Sequence, residues 1–140
     1  MKMQSTSRLQ LLQNPFLTIF HDPGSSILIL VWSAETARMT ASDFKEGLTR
    51  TAEYAEQKNP HGLMVDVENF KFGEAMGPEL MKWRLEKIVP RYNKAGLKKF
   101  AFVHGSGFPE KPGEGEKTAA EDFLTKHFAS EEHATEWASS

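Results

Sequence analysis

Short apolar runs predict the strands of this chain. Residues 27–32 read Ile-Leu-Ile-Leu-Val-Trp and are apolar on both faces, which is typical of an interior strand covered on each side. Residues 100–103 share this character, and residues 63–67 form a compact apolar run that contains Asp66. Residues 15–22 alternate loosely and lead into Asp-Pro-Gly-Ser, which predicts a hairpin through a type II turn with a positive φ at Gly24.

Helical spacing follows the second predicted strand. Thr40 and Asp43 form a capping box that opens a predicted amphipathic helix over residues 41–57. Asn59-Pro60 ends this helix before the next strand begins. The first half of the chain is therefore predicted to run β-β-α-β.

A second helix is predicted to begin at Gly77-Pro78, because proline is tolerated at the first helical position. Pro90 interrupts this helix, and Gly96 caps its last turn. The strand that follows is expected to lie parallel to the preceding one through a right-handed crossover. The side chains predicted to face inward from this helix are Leu80, Met81, Leu85 and Ile88.

The last third of the chain is less regular. Residues 104–118 contain four glycines and two prolines and predict an exposed loop. Residues 118–122 predict the start of a short helix, and residues 124–128 predict a short edge strand. A closing helix is predicted over residues 130–137, with Ser130 as its N-cap.

These elements predict a single α/β domain over residues 14–140. Its sheet is mixed, with four or five strands, an antiparallel N-terminal hairpin and a parallel β-α-β unit, and helices pack against it. Residues 1–13 form a predicted, partly ordered N-terminal tail. Its apolar side chains either dock as a short helix or remain frayed; they are Leu9, Leu11 and Leu12.

Composition narrows the function classes. The 140 residues suffice for one hydrophobic core, and the absence of cysteine removes disulfides, thiolate nucleophiles and Cys-type zinc sites. A net charge of −2 gives no field that attracts nucleic acid. No apolar run approaches a membrane span, and the N-terminal stretch lacks the apolar region of a secretory signal. We therefore expect a cytoplasmic protein without a membrane span or a nucleic-acid partner.

The order of elements resembles the SpoIIAA-like branch of the STAS superfamily from about Asn14 onward. The residues that carry the resemblance are Asp66 at the end of a strand and the segments 90–103 and 128–137. In the anti-sigma-factor antagonists of that superfamily, an Asp-Ser-Ser-Gly segment at a helix start carries a phosphorylated serine. The comparable positions here are Glu74, Ala75, Met76 and Gly77.

The two hydroxyls of that family segment are missing from this chain. A phosphoserine adds roughly two negative charges at a helix N-terminus, which is how such a surface changes partners. Ala75 and Met76 cannot be phosphorylated. The resemblance therefore implies a partner-binding surface without the phosphoserine switch.

Motifs for phosphate, metal and nucleophile chemistry are weak. Residues 113–118 superficially resemble a P-loop, but Glu116 separates the glycine from the lysine and would repel phosphate. Ser106 lacks the strand-turn-helix context of a nucleophilic serine. No cofactor is predicted. The five histidines show no metal-ligand spacing; they are at positions 21, 61, 104, 127 and 133.

One arrangement offers acid–base chemistry. Asp66 and Glu68 follow one predicted parallel strand and His104 follows the next, so all three are expected at one sheet edge. A carboxylate beside an imidazole orients the ring or raises its pKa. Because polar residues also end strands simply to meet solvent, we predict no catalytic site and keep these three as the enzyme hypothesis.

We predict a non-enzymatic regulatory or protein-interaction module that uses the loop from Glu68 to Gly77 and the following helix start as its contact surface. A second copy of the chain is one such partner. The alternative is a carrier or sensor of a small apolar, lipid-like ligand held between the sheet and the second helix. The predicted binding residues are Asp66, Glu68, Phe70, Phe72, Glu74, Met76, Gly77 and His104.

Overall fold

The computed structural model describes residues 8–140, in which six strands form one mixed sheet. The strands lie side by side in the order of the sequence. They are β1 Leu9–Gln13, β2 Leu17–Asp22, β3 Ile27–Trp32, β4 Gly62–Asp66, β5 Lys99–Val103 and β6 Leu124–Phe128.

The sheet is antiparallel at its start and parallel beyond β3. β1, β2 and β3 pair antiparallel, and β3, β4, β5 and β6 pair parallel. Val31 of β3 is aligned with Asp66 of β4, which is aligned with Val103 of β5. The carboxyl ends of the parallel strands therefore meet at one edge. The predicted α/β class, the hairpin and the parallel β-α-β unit are confirmed.

The helices begin and end close to the predicted positions. Thr40 and Asp43 form the predicted capping box, and Ser130 caps the last helix. No helix within the described residues is long and apolar enough to cross a membrane. The α-helices are α1 Ala41–Lys58, α2 Pro78–Lys87, α3 Val89–Ala95 and α4 Glu131–Ala138, and two short 3-10 helices span Ala34–Arg38 and Gly73–Met76.

The helices cover the two faces of the sheet unequally. α1, α2 and α3 enclose one core cluster, to which β3 contributes Leu28 and Leu30. α4 covers the other face, where Ile27 and Ile29 of β3 meet Ala134. These four β3 side chains are buried, and each stabilises the fold by about 1.5–3 kcal/mol through removal of apolar surface from water.

Residues 9–13, which the sequence placed in the N-terminal tail, form the edge strand β1 and raise the number of strands to six. The register of β1 against β2 shifts at a β-bulge between Gln10 and Leu12. The Tyr54 hydroxyl of α1 donates a hydrogen bond of 3.1 Å to the carbonyl oxygen of Leu11. A bulge interrupts the ladder, so this long-range contact helps to hold β1 in place. Residues 1–7 of the predicted tail lie outside the described residues.

The hairpin turn differs from the predicted type II turn. The positive φ falls on Ser26, at 59°, and Gly24 is not among the residues with a positive φ. The backbone N–H of His61 donates to the carbonyl oxygen of Ser26 at 2.8 Å and lies 3.2 Å from its hydroxyl. Contacts to a distant residue therefore outweigh the local Pro-Gly preference.

Helix α2 buries only part of the face predicted for it. Leu80 is buried, as is Ile88 directly after the helix, but Met81 and Leu85 are exposed. Trp83 and Arg84, one turn after Leu80, take the inward side instead: Trp83 packs against the core, and the Arg84 guanidinium lies 5.4 Å from the centre of a phenylalanine ring of β5. The apolar stem of an arginine side chain can cover hydrophobic surface. A prediction from apolar residues alone therefore assigns part of the inward face of this helix incorrectly.

Residues 104–123 connect β5 to β6, and the helix predicted over residues 118–122 does not form; the chain makes turns there. The Asn93 side chain of α3 donates to the carbonyl oxygen of Ala120 and accepts from the backbone N–H of Asp122, both at 2.9 Å. These side-chain bonds replace helical hydrogen bonds.

Candidate functional site

The chain leaves β4 through a turn built by Asp66. One carboxylate oxygen of Asp66 accepts a hydrogen bond of 2.9 Å from the backbone N–H of Glu68. The backbone N–H of Val67 donates to the carbonyl oxygen of Val103 in β5, also at 2.9 Å. This is the local bonding by which aspartate shapes a turn, so one oxygen of Asp66 is used for the backbone.

Phe70 and Phe72 belong to an aromatic cluster inside the loop. The centres of the Phe70 and Trp32 rings are 5.2 Å apart, and those of Phe72 and Phe44 are 5.6 Å apart. Phe72 is buried and Phe70 is half-buried. Both rings therefore hold the loop against β3 and α1 from within, which is a different role from the predicted contact with a partner.

Three large apolar side chains beside this loop are exposed. Met76, the last residue of the 3-10 helix Gly73–Met76, is 72% exposed, and Met81 and Leu85 of α2 are 50% and 45% exposed. Met81 and Leu85 are four residues apart and lie on one side of the helix. We call Met76, Met81 and Leu85 the apolar surface.

Glu74 and Gly77 join the 3-10 helix to α2. The backbone N–H of Gly77 donates to the carbonyl oxygen of Glu74 at 2.9 Å, and the carbonyl of Gly77 accepts from the N–H of Met81 at 3.0 Å. Met76 directly precedes the N-cap residue Gly77. A phosphate at such a position would meet free helix N–H groups, but the Met76 side chain has no hydroxyl to modify.

A pair of histidines lies at the ends of β5 and β6. The Nε2 atom of His104 is 2.8 Å from the Nδ1 atom of His127, so one nitrogen donates and the other accepts. The Phe102 ring is stacked on His127, with centres 5.0 Å apart. The Phe108 ring is stacked on His104, with centres 4.1 Å apart. The four rings fix the orientation of both imidazoles.

Both imidazoles favour the neutral form. Burial lowers the pKa of His104, and the neighbouring His127 lowers it further. Burial also lowers the pKa of His127; the Glu116 carboxylate opposes this shift, and the Lys111 ammonium adds to it. The hydrogen bond between the rings needs one deprotonated nitrogen, so it is favoured at neutral pH.

The loop beside this pair is exposed, as predicted, and is held along the outer edge of β6. Glu116 and Thr125 exchange two backbone hydrogen bonds of 2.9 and 2.7 Å. The Lys126 ammonium donates to the carbonyl oxygen of Gly113 at 2.8 Å. Residues 108–116 therefore run next to β6 as a fixed strap.

An open cavity of about 460 Å³ is lined by residues of this strap, by residues of β6 and by the two histidines. Its size lies within the range of small-molecule sites. The residues of its lining that bear on function are His104, Phe108, Lys111, Glu116, Thr125 and His127.

Glu68 lies against the backbone next to His104. A Cβ atom placed on Gly105 would be 2.9 Å from the Cδ and Oε2 atoms of Glu68. Within residues 8–140, however, no hydrogen bond joins Asp66 or Glu68 to His104, whose ring partner is His127. The imidazole of the enzyme hypothesis is therefore oriented by a second imidazole and not by a carboxylate.

The space between the sheet and α2 is occupied by the chain itself. Leu80 of α2 belongs to the same buried cluster as Phe72 and Phe100. The cavity at the histidine pair lies elsewhere. An apolar ligand held under α2 stays a prediction from the sequence.

Comparison of the chain with protein-family models, with curated proteins and with solved structures gives no match. The resemblance to the SpoIIAA-like branch of the STAS superfamily therefore stays a prediction from the sequence. The α/β architecture rests on the structure itself.

His127 is the residue of this site that sequence reasoning missed. It lies 23 residues after His104, in a strand for which the sequence predicted only an edge position. The register of the parallel strands places His127 beside Phe102, two residues before His104. The strand register brings the two rings together, and no local sequence pattern reveals that register.

Proposed function

We propose that this protein is a non-enzymatic regulatory or interaction module, similar to STAS domains, that binds a protein partner through the apolar surface. The observation that carries the proposal is the 72%, 50% and 45% exposure of Met76, Met81 and Leu85. The same loop and helix bury Phe72 and Leu80 on their inner side. The exposed side chains are therefore additional to what the core needs.

The chemistry of the apolar surface fits a protein partner. Methionine is flexible and polarizable and adapts to differently shaped apolar groups. Methionine is also enriched at protein interfaces relative to the rest of a surface. Ala75 and Met76 stand where the family segment has serines. Serine phosphorylation at these positions therefore cannot regulate binding to the apolar surface. A cytoplasmic location is part of this proposal.

The test compares substitutions at the apolar surface with a substitution at an exposed leucine elsewhere. One variant combines Met81→Gln with Leu85→Gln, and the matched control is Leu9→Gln, because Leu9 in β1 is 52% exposed on a different element. Proteins that co-purify with the wild type from source cells are identified, and each complex is then rebuilt from purified components. Binding is measured by calorimetry.

We expect the double variant to bind the purified partner at least tenfold more weakly, because loss of about 1.4 kcal/mol gives that factor. The control should bind like the wild type. If wild type and double variant bind equally, or if no complex forms from purified components, the proposal fails. Self-association of the wild type that the double variant abolishes would identify the partner as a second copy of the chain.

A further inference from the structure

The histidine pair brings two imidazole nitrogens within hydrogen-bond distance of each other. The Nε2 atom of His104 and the Nδ1 atom of His127 are 2.8 Å apart, with their rings inclined by 32°. We propose that these two nitrogens bind a divalent transition-metal ion of the class that prefers imidazole, such as Cu²⁺, Ni²⁺ or Zn²⁺. Water from the adjacent cavity completes the coordination.

The distance between the nitrogens suits this role after a small movement. Metal–imidazole bonds are about 2.0–2.1 Å long, so two nitrogens at a tetrahedral angle around one ion lie about 3.3 Å apart. The pair must open by roughly half an ångström, and the proton of the donating nitrogen must move to the other nitrogen of the same ring, so that both lone pairs are free for the ion. His127 is exposed, so its ring can make this movement in its own plane, parallel to the Phe102 ring, without disturbing the core.

The ring planes are fixed before any ion arrives. Phe102 is stacked on His127 with an interplanar angle of 10°, and Phe108 is stacked on His104 with the same angle. Ligands that packing already orients lose little side-chain freedom when they bind an ion. The stacked phenylalanines therefore make a two-histidine site stronger than two unrestrained surface histidines.

The cavity supplies the remaining ligands. Its volume of about 460 Å³ holds several water molecules, each of which takes about 30 Å³. Glu116 also lines the cavity, and its carboxylate places a negative charge near His127. Two cations line the cavity as well: Lys126 donates to the carbonyl oxygen of Gly113 in the strap, and the Lys111 ammonium opposes the charge of an ion at His127.

The number of protein ligands sets the expected affinity and order of metals. No group of three or more His, Asp or Glu side chains in the described part of the chain is arranged to hold a metal ion. With two imidazoles and water as ligands, Cu²⁺ should bind more tightly than Ni²⁺ or Zn²⁺. The site is distinct from the apolar surface and adds a function to the proposed one.

The test titrates the full chain with Cu²⁺ and, separately, with Zn²⁺ at pH 7.5. Calorimetry gives stoichiometry and affinity, electron paramagnetic resonance of Cu²⁺ counts the bound nitrogens, and imidazole nitrogen shifts follow Zn²⁺ in NMR. The variants are His104→Ala and His127→Asn. The matched controls are His21→Ala and His61→Ala, because both of these histidines lie at the amino edge of the parallel strands, opposite the edge that carries the pair.

We expect one ion per chain, bound by two nitrogens, with at least tenfold weaker binding in His104→Ala and in His127→Asn. The controls should stay within twofold of the wild type. Circular dichroism verifies that each variant is folded, and the Zn²⁺-induced shifts of His104 and His127 in the wild type test the site without any substitution. Binding that survives both substitutions, or nitrogen shifts that do not move with Zn²⁺, overturns the proposal.

Discussion

The apolar surface and the histidine pair both extend from the carboxyl edge of the parallel strands, yet their side chains are arranged in opposite ways. At the apolar surface, Met76, Met81 and Leu85 project from elements whose inner side is packed, and they contact little of their own chain. At the pair, His104 and His127 bond to each other and are stacked between aromatic rings.

The difference separates two kinds of recognition. Exposed thioether and aliphatic groups gain free energy when any apolar surface covers them, so they favour association with a protein. Fixed imidazoles beside a cavity offer directed lone pairs and hydrogen bonds, so they favour a small ligand or an ion. The proposed association surface and the proposed coordination site thus lie along the same sheet edge.

The largest expected effect tests which loop residues are core. Phe72→Ala should lower the free energy of unfolding by about 3–4 kcal/mol, because it opens a cavity in the aromatic cluster. Met76→Ala, four residues later, should change it by less than about 0.5 kcal/mol. Urea unfolding of both variants measures the difference, and equal losses would mean that Met76 is not free of the core.

A second effect tests the contact between Glu68, in the loop that leads to the apolar surface, and the backbone next to the histidine pair. Gly105 has φ of +110° and lies against Glu68, whereas Gly107 has φ of +92° and open space around its Cα. Gly107→Ala should lower the free energy of unfolding by about 1–2 kcal/mol through backbone strain alone. Gly105→Ala should lower it by about 1 kcal/mol more, because the added Cβ also meets Glu68. In a Glu68→Ala background the extra cost should vanish; if it persists, Glu68 is not its cause.

A smaller effect distinguishes the regions by their response to pH. The lowered pKa values of His104 and His127 mean that the folded state binds fewer protons than the unfolded state as acid is added. Stability is therefore full above the ordinary histidine pKa of about 6.5 and falls as the pH drops below it. His21, whose pKa is also lowered, chiefly by burial, adds a background slope.

Urea unfolding at pH 7, 6 and 5 measures this slope. The double variant His104→Asn with His127→Asn should show a flatter decline than the wild type, because it keeps only the remaining histidines. Met81→Gln should decline in parallel with the wild type. Parallel declines in all three proteins would contradict the lowered pKa values.

The smallest expected effect is the coupling between the regions. Met81→Gln and His127→Asn touch no common side chain in the described structure, so their stability changes should add within about 0.3–0.5 kcal/mol. A double-mutant cycle in urea measures the coupling. A larger coupling would mean that binding at one region alters the other.

The sequence predicted elements that depend on local signals. The capping box at Thr40, the break at Pro90 and the cap at Ser130 all involve neighbours within a few residues, and all three occur as predicted. The two-faced apolar run of β3 also indicated an interior strand correctly, because both of its faces are covered. Residues close to each other in the sequence determine these features.

The errors of the sequence analysis arise from contacts between distant residues. β1 depends on a bond from Tyr54, and the hairpin turn depends on His61. In the candidate site, Phe72 and Met76 look equally apolar in sequence, but only the fold buries one and exposes the other. His127 joins the site through strand register, which composition and spacing do not encode.

The two rims of the sheet have unequal capacity for extension. Beside β6, Thr125 already shares its outward backbone groups with Glu116, so that rim is occupied where the strap crosses it. Beside β1, no described residue adds a further strand. The β1 rim is thus the less occupied of the two, and the β-bulge between Gln10 and Leu12 and the charge of Arg8, which directly precedes Leu9, are what oppose edge-to-edge pairing there.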